Sequence, residues 1–288
     1  MQSRTRPTNP RVSIVIPAKN EAHNLEVLLP DLPEVHETIL VDGNSTDGTV
    51  QVARQIRPDT KVVHQSRTGK GNALACGFEA ATGDVIVMFD ADCSADPHEI
   101  PRFVETLVAG ADFAKGSRFH PAGGSADITR MRAAGNRALN VIANRMLRAN
   151  YTDLCYGYNA FWADILPNLD LPSTDVSAMD GAMLWGDGFE IETVINCRIA
   201  AAGLEIVEVP SYELLRVFGN SNLNAVSDGL RVLKTIGTER RRVARRDAMR
   251  RQEAVERAEE YMSRRGWLSN RNGDRDANRD RERRREIA

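Results

Sequence analysis

Asp90 and Asp92 are the residues in this chain best placed for chemistry, because they stand two apart directly after an uncharged run, Val85-Ile-Val-Met-Phe89. The run is rich in β-branched residues and reads as a strand buried on both faces. In an extended chain, side chains two apart point the same way, so both carboxylates face one side with roughly 7 Å between their Cα atoms. Two convergent carboxylates at a strand end suit a hard divalent cation, Mg²⁺ or Mn²⁺, which takes oxygen ligands and shares them with the phosphates of a substrate. An isolated Asp-x-Asp is more often a turn cap beside a solvated acid. The surrounding chain decides between the two.

Three other polar clusters follow apolar segments in the same manner. Val12-Ser-Ile-Val-Ile16 leads into Pro17-Ala-Lys-Asn-Glu21, and Thr38-Ile-Leu-Val41 into Asp42-Gly-Asn-Ser-Thr-Asp-Gly-Thr49. Lys61-Val-Val-His64 leads into Thr68-Gly-Lys-Gly-Asn72. Helical stretches to about Leu32, Ile56 and Ala81 separate the strands, with Asp47 or Ser45 able to cap the second. Strand and helix alternate four times. That pattern predicts an α/β fold, a mostly parallel sheet flanked by helices on both faces, with ligands beyond the carboxyl ends of the strands. All four clusters fall at that edge. The Gly-Lys-Gly turn is not a nucleotide-triphosphate loop, since the Gly-x4-Gly-Lys-Ser/Thr spacing is absent.

Composition sets the frame. The chain has 288 residues, 42% of them hydrophobic, and a net charge of -2, which suits one large soluble α/β domain with appendages. No apolar run approaches the ~20 residues of a membrane span, and the first residues lack a secretory apolar segment, so a cytoplasmic protein is expected. Cys76, Cys93, Cys155 and Cys197 are widely spaced with no Cys-x-x-Cys pair, and are read as reduced, packing thiols. From Glu239 onward 17 Arg face 11 acidic residues, so this tail carries about +6 and the preceding chain about -8.

In order and spacing, Ser13-Ile-Val-Ile-Pro-Ala-Lys-Asn-Glu21, Val41-Asp-Gly-Asn-Ser-Thr-Asp-Gly-Thr49, Gly69-Lys-Gly-Asn-Ala73 and Phe89-Asp-Ala-Asp92 resemble glycosyltransferase family 2. Within that family the likeness is closest to the polyprenyl-phosphate (dolichol-phosphate) mannosyl or glucosyl synthase branch, over about residues 11–237. The resemblance implies a GT-A fold, a nucleoside-diphosphate-sugar donor, inversion at the anomeric carbon and a divalent metal. By the same resemblance Pro17 and Glu21 touch the nucleoside, and Asp42 lies near the base. Lys70 joins the donor-binding set. Asp90 and Asp92 hold metal and diphosphate, with Asp92 the direct ligand. The family's second acid after Asp42 is Gly43 here.

The middle of the chain extends the likeness. Ala111–Arg118 reads as a strand ending in the family's Gly-Ser-Arg, where Arg118 would face donor or acceptor phosphate. Arg130–Arg148 is helical, with Asn136, Asn140 and Asn144 in one row, a pattern typical of a solvated or helix-contacting face. Tyr156 and Asn159 are candidates for the acceptor site or for packing, Trp162 for the core, and Trp185 for stacking on a sugar or closing over the site. Gly186-Asp-Gly-Phe-Glu-Ile-Glu192 matches a family stretch that supplies a general base for hydroxyl acceptors. Asp187 and Glu190 are the candidates there, and Glu192 is assigned to packing or a buried hydrogen bond. Leu204–Pro210 reads as an edge strand. Arg216-Val-Phe-Gly-Asn-Ser-Asn-Leu223 resembles a loop that closes over the diphosphate, with Arg216 neutralising leaving-group charge and Asn222 in place of the family's Lys.

The expected organisation is a disordered leader (1–10), a catalytic domain (11–237) and a basic tail (238–288), helical to about Arg264 and disordered from Ser269. The tail could rest on an anionic membrane surface or pair with another copy in a homo-oligomer. Nucleic-acid binding is not expected without a reading fold. The leading function is hexosyl transfer from a UDP- or GDP-sugar to polyprenyl phosphate. A hydroxyl acceptor is the alternative, and an inactive sugar-nucleotide-binding protein is the non-enzyme one. A sugar-phosphate nucleotidyltransferase is disfavoured, because Pro17-Ala-Lys-Asn occupies the place of its Gly-rich first turn.

Overall fold

The computed structural model describes residues 6–176, 183–219 and 225–265. The chain divides into two compact units, residues 1–239 and 240–288. In the first, β1 (Val12–Ala18), β2 (Glu37–Asp42), β3 (Lys61–His64) and β4 (Val85–Met88) alternate with α1 (Ala22–Asp31), α2 (Thr49–Ile56) and α3 (Lys70–Ala80). Next come α4 (Ile100–Val108), β5 (Phe113–Ser117), a short β6 (Gly124–Ser125), α5 (Arg130–Leu147) and β7 (Asn159–Trp162). The unit ends with α6 (Leu166–Leu169), α7 (Ile191–Ala202), β8 (Ile206–Pro210), β9 (Tyr212–Glu213) and the start of α8 (Ala225–Arg264).

The main sheet has the order β3-β2-β1-β4-β7-β5-β8, and β6 pairs with β9 separately. The first four strands are parallel, and so are β5 and β8. β7 runs antiparallel between β4 and β5. Sequence reading placed Trp162 in the core but not the strand that carries it. Asn-Ala-Phe-Trp is four residues, all buried, and so short an apolar run has no period to mark it as a strand. The expected edge position of the late strand matches β8, the last in the order.

β-Branched and aliphatic side chains of β1, β2 and β4 form the core with α3, α4 and β7. Gly77 lets α3 lie directly on β1, since a Cβ there would be 2.3 Å from Val15 Cγ1. Phe161 meets Phe78 edge-on at 5.3 Å, and Tyr158 stacks on Phe103 at 4.3 Å, geometries aromatic rings favour. Parallel register brings the ends of β1, β2, β3 and β4 to one side, so the turns after Ala18, Asp42, His64 and Met88 share an edge.

The asparagine row on α5 is neither solvated nor packed on a helix. Asn144 bonds both the carbonyl and the amide of Tyr151 at 2.8 Å. Asn140 donates to Thr152 O and accepts from Leu154 N, and Asn136 donates to Asp153 Oδ1. Asn140 and Asn144 act as a strand-like partner for the backbone of 151–154, pairing polar groups that the fold would otherwise leave without partners, and Asn136 holds the Asp153 side chain.

Residue 6 corrects the expectation of a disordered leader at its distal end: Arg6 pairs with Asp112 at 2.6 Å and Asp164 at 3.0 Å, over the Trp162 ring. In the second unit, 240–264 is helical, with Met249, Val255 and Tyr261 exposed and Arg264–Glu260 paired one turn apart. The expected disorder from Ser269 lies outside the described residues. No helix among the described residues is long and apolar enough to cross a membrane.

Asn140→Ala is expected to destabilise the first unit by about 1–3 kcal/mol, since it strips partners from a buried carbonyl and amide. A urea titration should show a lower midpoint with an unchanged slope.

Candidate active site

The turn between β3 and α3 is locked to the segment before α7. Arg67 makes a two-pronged pair with Asp187, at 2.8 and 2.9 Å, with each side chain 1% exposed. Its remaining nitrogen donates to Ser173 O and Val176 O. The Asp187 carbonyl accepts from Gly71 N at 2.7 Å and Asn72 N at 3.2 Å, which satisfies amides at the start of α3 that have no intrahelical partner. Glycine is required at this contact. A Cβ on Gly69 would lie 2.1 Å from Asp187 O, and one on Gly71 would lie 1.8 Å from Gly186 O.

That docking delivers Lys70, first residue of α3, to the end of β4. Its Nζ sits 2.7 Å from Asp90 Oδ1 and 2.6 Å from Glu192 Oε1. Burial opposes the charged amine, but the two carboxylates outweigh it and raise its pKa above the ordinary lysine value. Gly157 faces the triad without a side chain, its virtual Cβ being 3.2 Å from Asp90 Oδ2 and 3.5 Å from the ammonium.

Asp92 holds a tight turn in which Cys93 adopts φ +60°. Its Oδ1 accepts from Ser94 N and Ser94 Oγ, and its Oδ2 pairs with Arg216 Nη2 at 2.9 Å. The loop bearing Arg216 is fixed at both flanks. Leu214 N donates to Ser94 O, and the backbone of Phe218 bonds the Asn24 side chain on α1. Cys93 packs there too, its thiol donating to Asn24 O and pushed up to about 11, first by burial and then by Asp92.

The remaining expected donor residues line the same edge. Pro17 falls beyond the last β1–β4 bond, from Phe89 N to Val15 O, where its missing N–H costs the ladder nothing. Glu21 accepts from Asn24 Nδ2 at 2.6 Å, and its pKa is raised by burial, with Asp92 adding and Arg216 subtracting. Asp42 is buried, accepts from Ser45 N and stands 3.4 Å from His64 Nδ1. Gly43 is where the chain crosses close to its neighbour: a Cβ would be 3.1 Å from Lys19 Cβ and 3.2 Å from Ala18 O.

Two expectations are corrected. Arg118 does not face a phosphate site. It is buried, doubly bonded to Asp153 at 2.7 and 3.0 Å, bonded to Glu213 at 2.9 Å, and stacked over Tyr156. Asp187 is not poised as a base, because Arg67 occupies both of its oxygens. Trp185 donates its indole N–H to Glu239, which also holds Arg198. Glu190 accepts from Gly186 N and Gly188 N and is half-buried, while Glu192 pairs with Lys70. Asn222 lies outside the described residues. Arg67 was missed from sequence. Its one local signal is a charged side chain three residues before Lys70, ahead of a turn rich in glycine.

Among the described residues no cluster of three or more His, Cys, Asp or Glu forms a protein-only metal cage. The acidic pair is a partial donor set of hard oxygens, and it already draws Lys70 and Arg216 to within 3 Å. Such a pair fits a cation whose other ligands come from bound phosphates.

A mostly parallel sheet whose carboxyl edge carries an acidic pair among polar turns is the GT-A arrangement of nucleotide-diphospho-sugar transferases. The chain belongs to glycosyl transferase family 2, whose pattern matches residues 13–169. It is similar to the polyprenol monophosphomannose synthase of Mycolicibacterium smegmatis, with 30% identity over 76% of this chain and 83% of that protein. It is also similar to the undecaprenyl-phosphate mannosyltransferase of Micrococcus luteus, with 32% identity over 74% and 88%. Both relatives fall in the polyprenyl-phosphate branch. Glucosyl-3-phosphoglycerate synthase from Mycobacterium tuberculosis, crystallised with Mn²⁺, UDP and glucosyl-3-phosphoglycerate, shares the fold. Its TM-score is 0.60, with 22% identity, over 80% of each chain.

Arg67→Met leaves Asp187 charged, buried and unpaired, and is expected to cost about 3–5 kcal/mol. Thermal unfolding should shift down steeply, and Gly71→Ala, which displaces the same contact, should shift it in the same direction.

Proposed function

We propose that this protein is an inverting hexosyltransferase that moves a sugar from a UDP- or GDP-sugar to a polyprenyl phosphate, using Mg²⁺ or Mn²⁺. The observation that carries the acceptor assignment is the engagement of Asp187, one of the two carboxylates that would serve a hydroxyl acceptor: Arg67 holds both of its oxygens, with each side chain 1% exposed. A phosphate acceptor is already anionic and needs no base. The relatives named above as acting on polyprenol and undecaprenyl phosphate support the same assignment.

In this reading Pro17, Glu21 and Asp42 receive the nucleoside, and Asp92 and Asp90 hold the divalent ion against the diphosphate. Bound there, the ion would supply Lewis-acid stabilisation of the leaving group. The acceptor's phosphate oxygen attacks the anomeric carbon from the face opposite the donor phosphate. A new carbon–oxygen bond forms as the old one breaks, and its electron pair leaves on the nucleoside diphosphate. Arg216 and Lys70 stand within reach of the motif carboxylates and stabilise that developing charge electrostatically. Arg118 contributes through structure, fixing Asp153 and Glu213. The arginine-rich helix from residue 240 is the part suited to an anionic membrane surface, where a polyprenyl acceptor resides.

A hydroxyl acceptor is the second reading. The partial exposure of Glu190, beside the exposed Phe189, gives it a remaining candidate base.

The test follows nucleoside diphosphate release from UDP- and GDP-sugars, with and without polyprenyl phosphate and Mn²⁺ or Mg²⁺. Release is expected to need the metal, to rise with the lipid and to vanish in Asp92→Ala. Glu190→Gln should stay within about threefold of the parent. A fall of about 10²–10⁴-fold, the usual worth of a general base, would instead establish the hydroxyl acceptor.

A further inference from the structure

We infer that Lys70 and Arg216 are exchangeable counter-cations of the acidic pair, and that their exchange couples uptake of the divalent ion to uptake of the donor's diphosphate. The inference rests on the reading of Asp90 and Asp92 as the metal-holding pair. Each of those aspartates has one oxygen in an ion pair with a protein cation. Lys70 Nζ is 2.7 Å from Asp90 Oδ1, and Arg216 Nη2 is 2.9 Å from Asp92 Oδ2. The second oxygen of Asp92 is taken by Ser94. A divalent ion entering this pair alone must compete for carboxylate oxygens already neutralised, and it then stands beside two positive groups that repel it.

A nucleoside diphosphate changes the balance, because its phosphates give the displaced ammonium and guanidinium a new anionic partner. The cations turn from carboxylate to phosphate while the metal takes the carboxylates. Like charges are then kept apart only when ion and nucleotide are both bound. Reciprocity of linked equilibria requires each to strengthen the other by the same factor.

The supports of both cations outlast the exchange. Glu192, 2.6 Å from Lys70 Nζ, keeps the ammonium at the pocket edge when Asp90 changes partner, and is a positioning residue. The Arg216 loop is held through Ser94 O and Asn24, neither contact involving the guanidinium. Gly157 leaves the ammonium unobstructed on its third side. The side chain of Arg216 is 31% exposed, so the guanidinium can swing without unpacking a core.

The experiment is Mn²⁺ binding to the full chain, read from the electron paramagnetic resonance of the free ion, alone and with UDP or GDP. The nucleotide is expected to tighten Mn²⁺ binding to the parent protein by about 5- to 100-fold. Arg216→Gln and Lys70→Met should bind Mn²⁺ alone at least about fivefold more tightly than the parent and should lose most of the nucleotide's enhancement. Glu192→Gln should move the other way, since Lys70 then has Asp90 as its sole carboxylate partner of the two. Unchanged or weaker binding of Mn²⁺ alone by Arg216→Gln, with its circular dichroism intact, overturns the coupling. Absence of Mn²⁺ uptake by the parent with either nucleotide overturns the metal reading itself, and the coupling with it.

Discussion

The buried pair between Arg67 and Asp187 is the constraint on which the site depends. Neither residue is expected to touch substrate, yet the pair fixes the two chain segments that do. With Asp187 held, its carbonyl caps α3 through Gly71 and Asn72, and Lys70 is presented at the end of β4. The same anchor sets the start of α7, so Glu192 arrives on the other side of that ammonium. A buried pair of this kind is costly to desolvate and adds little net stability. Its value here is geometric, since it specifies one register between a turn and a helix 120 residues apart in sequence.

A second polar core plays the equivalent part behind β5. Arg118 bonds Asp153 and Glu213, Asn136 donates to Asp153, all four are buried, and Arg118 is held firmly charged because Asp153 and Glu213 outweigh its burial. Lys115, on β5 itself, has no carboxylate partner within bonding distance among the described residues. It is fully buried, its ammonium rests on the carbonyls of Gly116 and Tyr156, and burial pulls its pKa down to about 8. The contrast shows what paired carboxylates do for a buried cation in this fold.

The parts legible in sequence were those encoded locally. Four apolar runs were each followed by a polar or glycine-containing turn, and this defined β1 to β4, their parallel order and the edge where Asp42, Asp90 and Asp92 gather. The resemblance of Arg216-Val-Phe-Gly to a family loop implied a position near the diphosphate, and in the structure Arg216 pairs with Asp92. What could not be read was pairing over distance. Arg118 ends a strand in a motif that suggests an exposed phosphate contact, but Asp153 and Glu213, 35 and 95 residues on, bury it. The asparagines of α5 have the spacing of any polar helix face, and only the return of 151–154 alongside shows their use. β7 is too short and too uniformly apolar to announce a direction.

That antiparallel strand has a consequence for how the molecule comes together. β3, β2, β1 and β4 can assemble by successive local crossovers, but β5 has no place beside β4 until β7, 42 residues further on, slides between them. Contacts of such separation are closed late, because the loop must be ordered before any pairing rewards it. The acidic pair belongs to the early half of the sheet, while Glu192 and Arg216 follow β7 in the chain. The nascent protein therefore exposes Asp90 and Asp92 with Lys70 nearby before their remaining charges exist, and the pocket's electrostatic balance is completed only as the last strands dock.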